Sequence, residues 1–177
     1  SYVQDELNDC AGPAPQCMEW GNIKFIYIND LFVTEIRKPI GAGWNWVSVN
    51  VEGDMSINNV LAELSPADYD FIKSPTASAQ YFSGSGWNGG HNDLDVKGMY
   101  MLSSASADEL SFSGAAVYPS TKPITLGAGW NWIGFTPQSQ GPINEALASL
   151  TAADFDFIKS PDASSQYFAE TNWIGGL

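Results

Sequence analysis

One block of this sequence occurs twice. Gly41-Ala42-Gly43-Trp44-Asn45-Trp46 returns as Gly127-Ala128-Gly129-Trp130-Asn131-Trp132, 86 residues further on. The same shift carries Asp68-Tyr69-Asp70-Phe71-Ile72-Lys73-Ser74-Pro75 onto Asp154-Phe155-Asp156-Phe157-Ile158-Lys159-Ser160-Pro161. It also carries Gln80-Tyr81-Phe82 onto Gln166-Tyr167-Phe168, and Trp87 with Gly89-Gly90 onto Trp173 with Gly175-Gly176. Without a gap, 27 of the 50 positions in 41–90 match those in 127–176. That level lies far beyond chance and marks a tandem duplication, so each copy is expected to be one structural unit.

Glycines ahead of Trp44 suit a turn feeding a strand. In that strand Trp44, Trp46 and Ser48 share one face, and Asn45, Val47 and Val49 share the other. Gly134 stands where the first copy has Ser48, so a small residue recurs where another element can approach closely. Ser56 precedes Ile57, Val60, Leu61 and Leu64 at helical spacing; Pro142 precedes Ile143, Leu147 and Leu150. Aromatic-rich strands are expected at 69–73 and 80–82, followed by a Gly-containing turn into Trp87.

A strand pair, Met99–Leu102 and Leu110–Phe112, lies between the copies and leads to Lys122-Pro123-Ile124. Lys24-Phe25-Ile26-Tyr27 and Leu31-Phe32-Val33, followed by Lys38-Pro39-Ile40, repeat that layout. Two phasings follow. If the strand pair opens each copy, the organisation is a Cys-bearing segment at 1–21, module one at 22–96 and module two at 97–177. If it closes the preceding copy, the second copy ends one hairpin short and residues 22–36 belong with a neighbour. Both give a mostly β fold: two tandem modules, each a small sandwich- or barrel-like sheet assembly with one short helix.

Twenty acidic against seven basic residues give a net charge of −13. This argues against nucleic-acid partners, which need clustered Lys and Arg. Charged residues are only 15 % and hydrophobic residues 44 %, enough apolar surface to offset ordering entropy. No apolar run approaches the roughly 18 residues of a membrane span, so membrane insertion is not expected. No signal-peptide pattern opens the sequence, and its numbering is expected to start on a mature product or an excised piece. Cys10 and Cys17 flank a six-residue loop that can close as a disulfide in an oxidising compartment. Two free thiols, or half of a metal site, are the rival readings. His91 is the single histidine, so any Ser–His or Cys–His relay would have to pass through it.

Asp68 with Asp70, and Asp154 with Asp156, alternate along an expected strand and could share a calcium ion on one face. The rival reading turns the acids to water while Tyr69 and Phe71 face the core. Asp93 and Asp95 form a further acidic pair open to the same two readings. Recurrence of an acid pair in both copies fits equivalent structural positions better than one hydrolytic cleft, so no catalytic residue is expected. Most tryptophans are expected in the core, with Trp87 and Trp173, beside turn glycines, as the exposed platforms for sugar rings.

Several strings of the repeat together resemble a known repeat of large secreted surface proteins. They are Pro123-Ile124, Gly129-Trp130-Asn131-Trp132-Ile133-Gly134, the run Ile143–Leu150, Asp156-Phe157-Ile158-Lys159-Ser160 and Tyr167-Phe168. To these add Trp173-Ile174-Gly175, Gly98-Met99-Tyr100-Met101-Leu102 and Leu110-Ser111-Phe112-Ser113-Gly114. Such repeats occur in marine, Bacteroidetes-like bacteria and in some algae and other aquatic eukaryotes. The resemblance spans residues 22–177 and implies an extracellular array module, found beside adhesive or polysaccharide-related domains. It implies no catalytic or ligand-binding residue. The expected function is therefore a non-catalytic extracellular scaffold or adhesive module partnered by copies of itself or neighbouring repeats. A polysaccharide-binding module with two similar sites is the alternative.

Overall fold

Alternating apolar and polar residues in the repeated blocks produce short antiparallel strands, and their pairing determines which residues complete each copy. The computed structural model describes the backbone of residues 17–20 and 23–26 and the whole of residues 33–177. Internal contacts separate Ser1–Val33 from Thr34–Leu177. In the first unit, β1 (Cys17–Trp20) pairs antiparallel with β2 (Ile23–Ile26), placing Cys17 opposite Ile26. The expected Cys10–Cys17 disulfide lies outside the described residues.

The larger part begins with β3 (Val33–Ile40), β4 (Gly43–Val47), β5 (Val51–Glu52) and helix α1 (Ile57–Val60). Strands β6 (Phe71–Lys73), β7 (Ser78–Phe82) and β8 (Gly86–Gly89) follow, then β9 (Tyr100–Ser104) and β10 (Asp108–Ala116). The second copy supplies a 3-10 turn at Pro119–Thr121, helix α2 (Ile143–Ala146), β11 (Phe157–Lys159), β12 (Ser164–Phe168) and β13 (Asn172–Gly175). The fold is mostly β, with one short helix per copy and open, sandwich-like sheets.

One sheet runs β4-β9-β6-β7-β8 and another β3-β10-β5. Strand β9 lies between the two halves of the first copy. Leu102 is opposite Asn45 on β4 and opposite Ile72 on β6. Strand pairing places the β9–β10 hairpin against the copy that precedes it. A boundary at residue 96 would separate β9 from both of its hydrogen-bonded neighbours.

Between these sheets and α1 sits a continuous apolar core. It contains Ile36, Ile40, Val47, Ile57, Val60, Leu61, Ile72, Leu102, Leu110 and Phe112. Burial of each such side chain stabilises the fold by about 1.5–3 kcal/mol relative to exposure. Alternation in β4 turns Val47 inward, and Val49 beyond it is also buried; Trp44 is 53 % exposed. The face carrying Trp44 is therefore the outer one, against the expectation that tryptophans other than Trp87 and Trp173 lie in the core.

Candidate functional site

The repeated Gly-Ala-Gly-Trp-Asn-Trp string forms a stapled turn. Gly43 and Gly129 have φ of 91° and 86°, a region open to glycine at little steric cost. The following asparagine closes the loop. Asn45 Oδ1 accepts the Gly41 N–H at 2.8 Å, and its Nδ2 donates to the carbonyls of Gly41 and Gly43 at 2.7 and 3.1 Å. Asn131 repeats all three bonds with Gly127 and Gly129 at 2.9 Å each.

A second pair of asparagines explains the buried tryptophans. Asn58 on α1 accepts the Trp87 N–H at 2.8 Å and donates to its carbonyl at 3.3 Å. Asn144 on α2 does the same with Trp173, at 3.0 and 3.4 Å. The indoles are 5 % and 8 % exposed and meet Tyr81 and Tyr167 edge-on, with centroids 5.6 and 5.5 Å apart. Trp87 and Trp173 therefore present no free ring face to a sugar, correcting the expectation drawn from their neighbouring glycines. The turn beside each is clamped to a helix, which draws the ring inward.

The acidic pairs are also engaged with the backbone. Strand β6 starts at Phe71, and Tyr69 has φ 76°, so Asp68 and Asp70 do not alternate along one strand. Phe155 repeats the conformation at φ 73°. Both aromatic side chains are 70 % exposed rather than core-facing. Asp68 accepts the Ser83 N–H at 2.5 Å, and Asp154 accepts that of Ala169 at 2.6 Å. Asp70 Oδ2 accepts the Ala67 N–H at 3.0 Å, and Asp156 Oδ2 accepts that of Ala153 at 2.8 Å. These bonds make the carboxylates turn-formers in both copies. Asp93 meets Ser56 through a backbone bridge, while Asp95 Oδ1 accepts the Lys97 N–H at 2.9 Å. Among the described residues no three His, Cys, Asp or Glu side chains are grouped to hold a metal ion.

His91 is half-buried and lies edge-on to Tyr100 at 5.4 Å. Burial raises the Tyr100 phenol above its ordinary value, and its oxygen accepts the Asp95 N–H at 2.6 Å.

The outer face carries a feature that sequence reasoning placed elsewhere. Trp44 meets Phe71 edge-on at 6.4 Å, with Lys73 Nζ 4.9 Å from the indole. Trp130 meets Phe157 at 6.1 Å, and Lys159 Nζ lies 5.4 Å from both Trp130 and Trp46. The Gly-Trp spacing and the Phe-Ile-Lys string carried this signal, but alternation alone does not say which side faces water.

The copies differ most clearly around β9. In the first, β9 fills the space between β4 and β6. In the second, the sheet is only β11-β12-β13, and β11 has β12 as its single strand neighbour among the described residues. Residues 129–132 form no strand, and Ile133 makes only an isolated bridge to Gly98. Gly134 donates its N–H to Lys97 O at 2.8 Å, and a Cβ there would collide with the carbonyl oxygens of Val96 and Gly98. This is the close approach that the small residue foretold. The second copy carries an apolar edge: Phe157 is 45 % and Leu126 40 % exposed, and Ile124 is half-buried where its counterpart Ile40 is 3 % exposed.

Against known proteins the chain matches no family model, no curated sequence and no solved structure. Among the described residues no helix is long and apolar enough to cross a membrane.

Proposed function

We propose that the chain is a non-catalytic, extracellular structural module of an adhesive or surface array that assembles head to tail with copies of itself. One observation carries this reading: a single repeat unit occurs twice in tandem, and among the described residues its first occurrence has its sheet completed by a hairpin that joins strands from both of its halves. A head-to-tail contact whose rotation does not close gives filaments rather than rings. The acid pairs support a non-catalytic role, because their carboxylates are committed to turn N–H groups in both copies. The acidic balance and the resemblance to repeats of secreted surface proteins support the extracellular setting.

Light scattering and negative-stain microscopy on the purified chain test it, with and without calcium because of the acidic pairs. Filaments or large assemblies are the expected result; a stable species of 19.1 kDa at all concentrations overturns it. The exposed Trp44 and Trp130 clusters favour a second reading, a carbohydrate-binding module with two similar sites. Flat indole faces complement pyranose rings, and two weak sites on one chain gain avidity on a polymer. This reading predicts a tryptophan fluorescence change on adding glycan that Trp44→Ala with Trp130→Ala removes. An unchanged response in the double variant sinks it.

A further inference from the structure

We infer that the outer aromatic face is a binding track for an acidic polysaccharide, with Lys73 and Lys159 receiving its carboxylate or sulfate groups. The inference rests on the carbohydrate-binding reading, names the class of glycan, and does not depend on self-assembly.

The face extends beyond the two tryptophan clusters. Ile72 is fully buried, so strand alternation turns Phe71 and Lys73 to the opposite side, where both meet Trp44. Gln80 is opposite Phe71 in the β6–β7 register. Phe82, two residues on from Gln80, shares its face and meets Tyr69 at 5.8 Å. The second copy repeats the arrangement: Gln166 is opposite Phe157, and Phe168 meets Phe155 at 5.7 Å. Lys159 joins the two sets, with its ammonium 5.4 Å from Trp130 in its own copy and equally far from Trp46 in the first.

Two observations point to a ligand on this face. The first is conformational. Tyr69 and Phe155 both sit at positive φ, which bulky side chains rarely adopt, and both rings remain largely exposed. Core burial therefore does not offset the strain in either copy, and repeated strain of this kind is characteristic of binding surfaces.

The second is charge. The chain has seven basic against twenty acidic residues, and Arg37, Lys97 and Lys122 are each paired with a carboxylate. Among the described residues, Lys73 and Lys159 form no ion pair and lie instead over indoles. An exposed cation–π contact is weak. A lysine that exchanges it for an ion pair with a bound acid group also uncovers the indole for stacking. The rings then take pyranose faces, the Gln80 and Gln166 amides bond hydroxyls, and the ammoniums take acid substituents. The same set in both copies suits a polymer whose acid groups recur, and a neutral glycan would leave both cations unused.

Titration calorimetry on the full chain tests this at low salt with EDTA. The probes are polygalacturonate, alginate and dextran sulfate, each beside its neutral form (methyl ester, propylene glycol ester and dextran). At least one acidic polymer should bind about tenfold more tightly than its neutral form, the worth of two exposed ion pairs. Lys73→Met with Lys159→Met, which keeps an apolar stem over each indole, should abolish that preference. Lys73→Arg with Lys159→Arg should retain it. The wild-type comparison decides the class by itself should a variant fail to fold. Neutral forms bound as tightly as acidic ones, or a preference that survives the double Met variant, overturn the acidic class and leave the carbohydrate reading standing. A chain that binds none of these polymers overturns both.

Discussion

The two copies of the repeat share their local chemistry and differ in how far their sheets are completed. Asn45 and Asn131 staple the same turn, Asn58 and Asn144 clamp the same tryptophan, and Tyr69 and Phe155 adopt the same left-handed backbone. Yet Ile57, Val60 and Leu61 are buried in the first copy, while α2 has no buried residue. Strand β3 pairs with β10, whereas its counterpart at 117–124 holds only a 3-10 turn and irregular backbone. The strand differences lie where the β9–β10 hairpin pairs, while α1 is tied by backbone bonds to residues 92–94, in the segment that leads into that hairpin. Local hydrogen bonding therefore forms the parts of each copy, and the segment from 92 to 116 turns those parts into a core.

Matched substitutions can break or sharpen that comparison. The largest effect is expected from Ile72→Ala against Ile158→Ala. Deleting a fully buried side chain of this size costs about 2–5 kcal/mol, and a half-buried one much less. Urea denaturation with a near-ultraviolet probe should resolve the two; equal losses would mean that the second copy is as well packed as the first. Asn58→Ala and Asn144→Ala come next. Each leaves a Trp backbone N–H unpaired, a loss of about 1–3 kcal/mol where the group is buried. Here the copies should behave alike, and a marked inequality would show that the clamp depends on the hairpin.

Asp70→Ala should cost more than Asp156→Ala by about 0.5–1.5 kcal/mol, the net worth of one added hydrogen bond. The chain with both substitutions, compared by thermal melting, checks that the two effects add. The smallest effect is in the sheet that only the first copy completes. Hydrogen bonds from Arg37 and Ser111 hold the Glu35 carboxyl below its ordinary value of 4.5. Its contribution is thus present above that pH and lost as pH falls through the lower folded value. Glu35→Gln should lower the urea midpoint slightly at pH 7 and leave it unchanged near pH 2, where both forms are neutral. A difference that persists in acid would place the effect in packing rather than charge.

Much of this was legible in the sequence because it is local. The duplication, the helices after Ser56 and Pro142, the strand alternation and the close approach at Gly134 all follow from spacing within a few residues. The faces were not. Alternation groups Trp44 with Trp46 but is silent on which side meets the core, and that side is the one on which Val47 joins Ile72 and Leu102 in the buried cluster. Turn glycines beside Trp87 pointed outward, whereas the Asn58 clamp from a helix 29 residues away turns the ring inward. Tyr69 carries no glycine signal for its positive φ, so Asp68 and Asp70 looked like neighbours on one strand. The carboxylates proved to be fastenings for turns. Pairing of β9 with β4 spans 57 residues between Asn45 and Leu102, a separation that no local pattern in the sequence reveals.

That separation also sets an order of events during synthesis. A ribosome releases β4, α1 and β6 to β8 well before β9, and non-local pairings form late because a long loop must close first. Until residue 104 emerges, the nascent first copy therefore presents the edges of β4 and β6 that β9 later joins. During that interval it is the part of the chain most exposed to capture by a strand from another molecule.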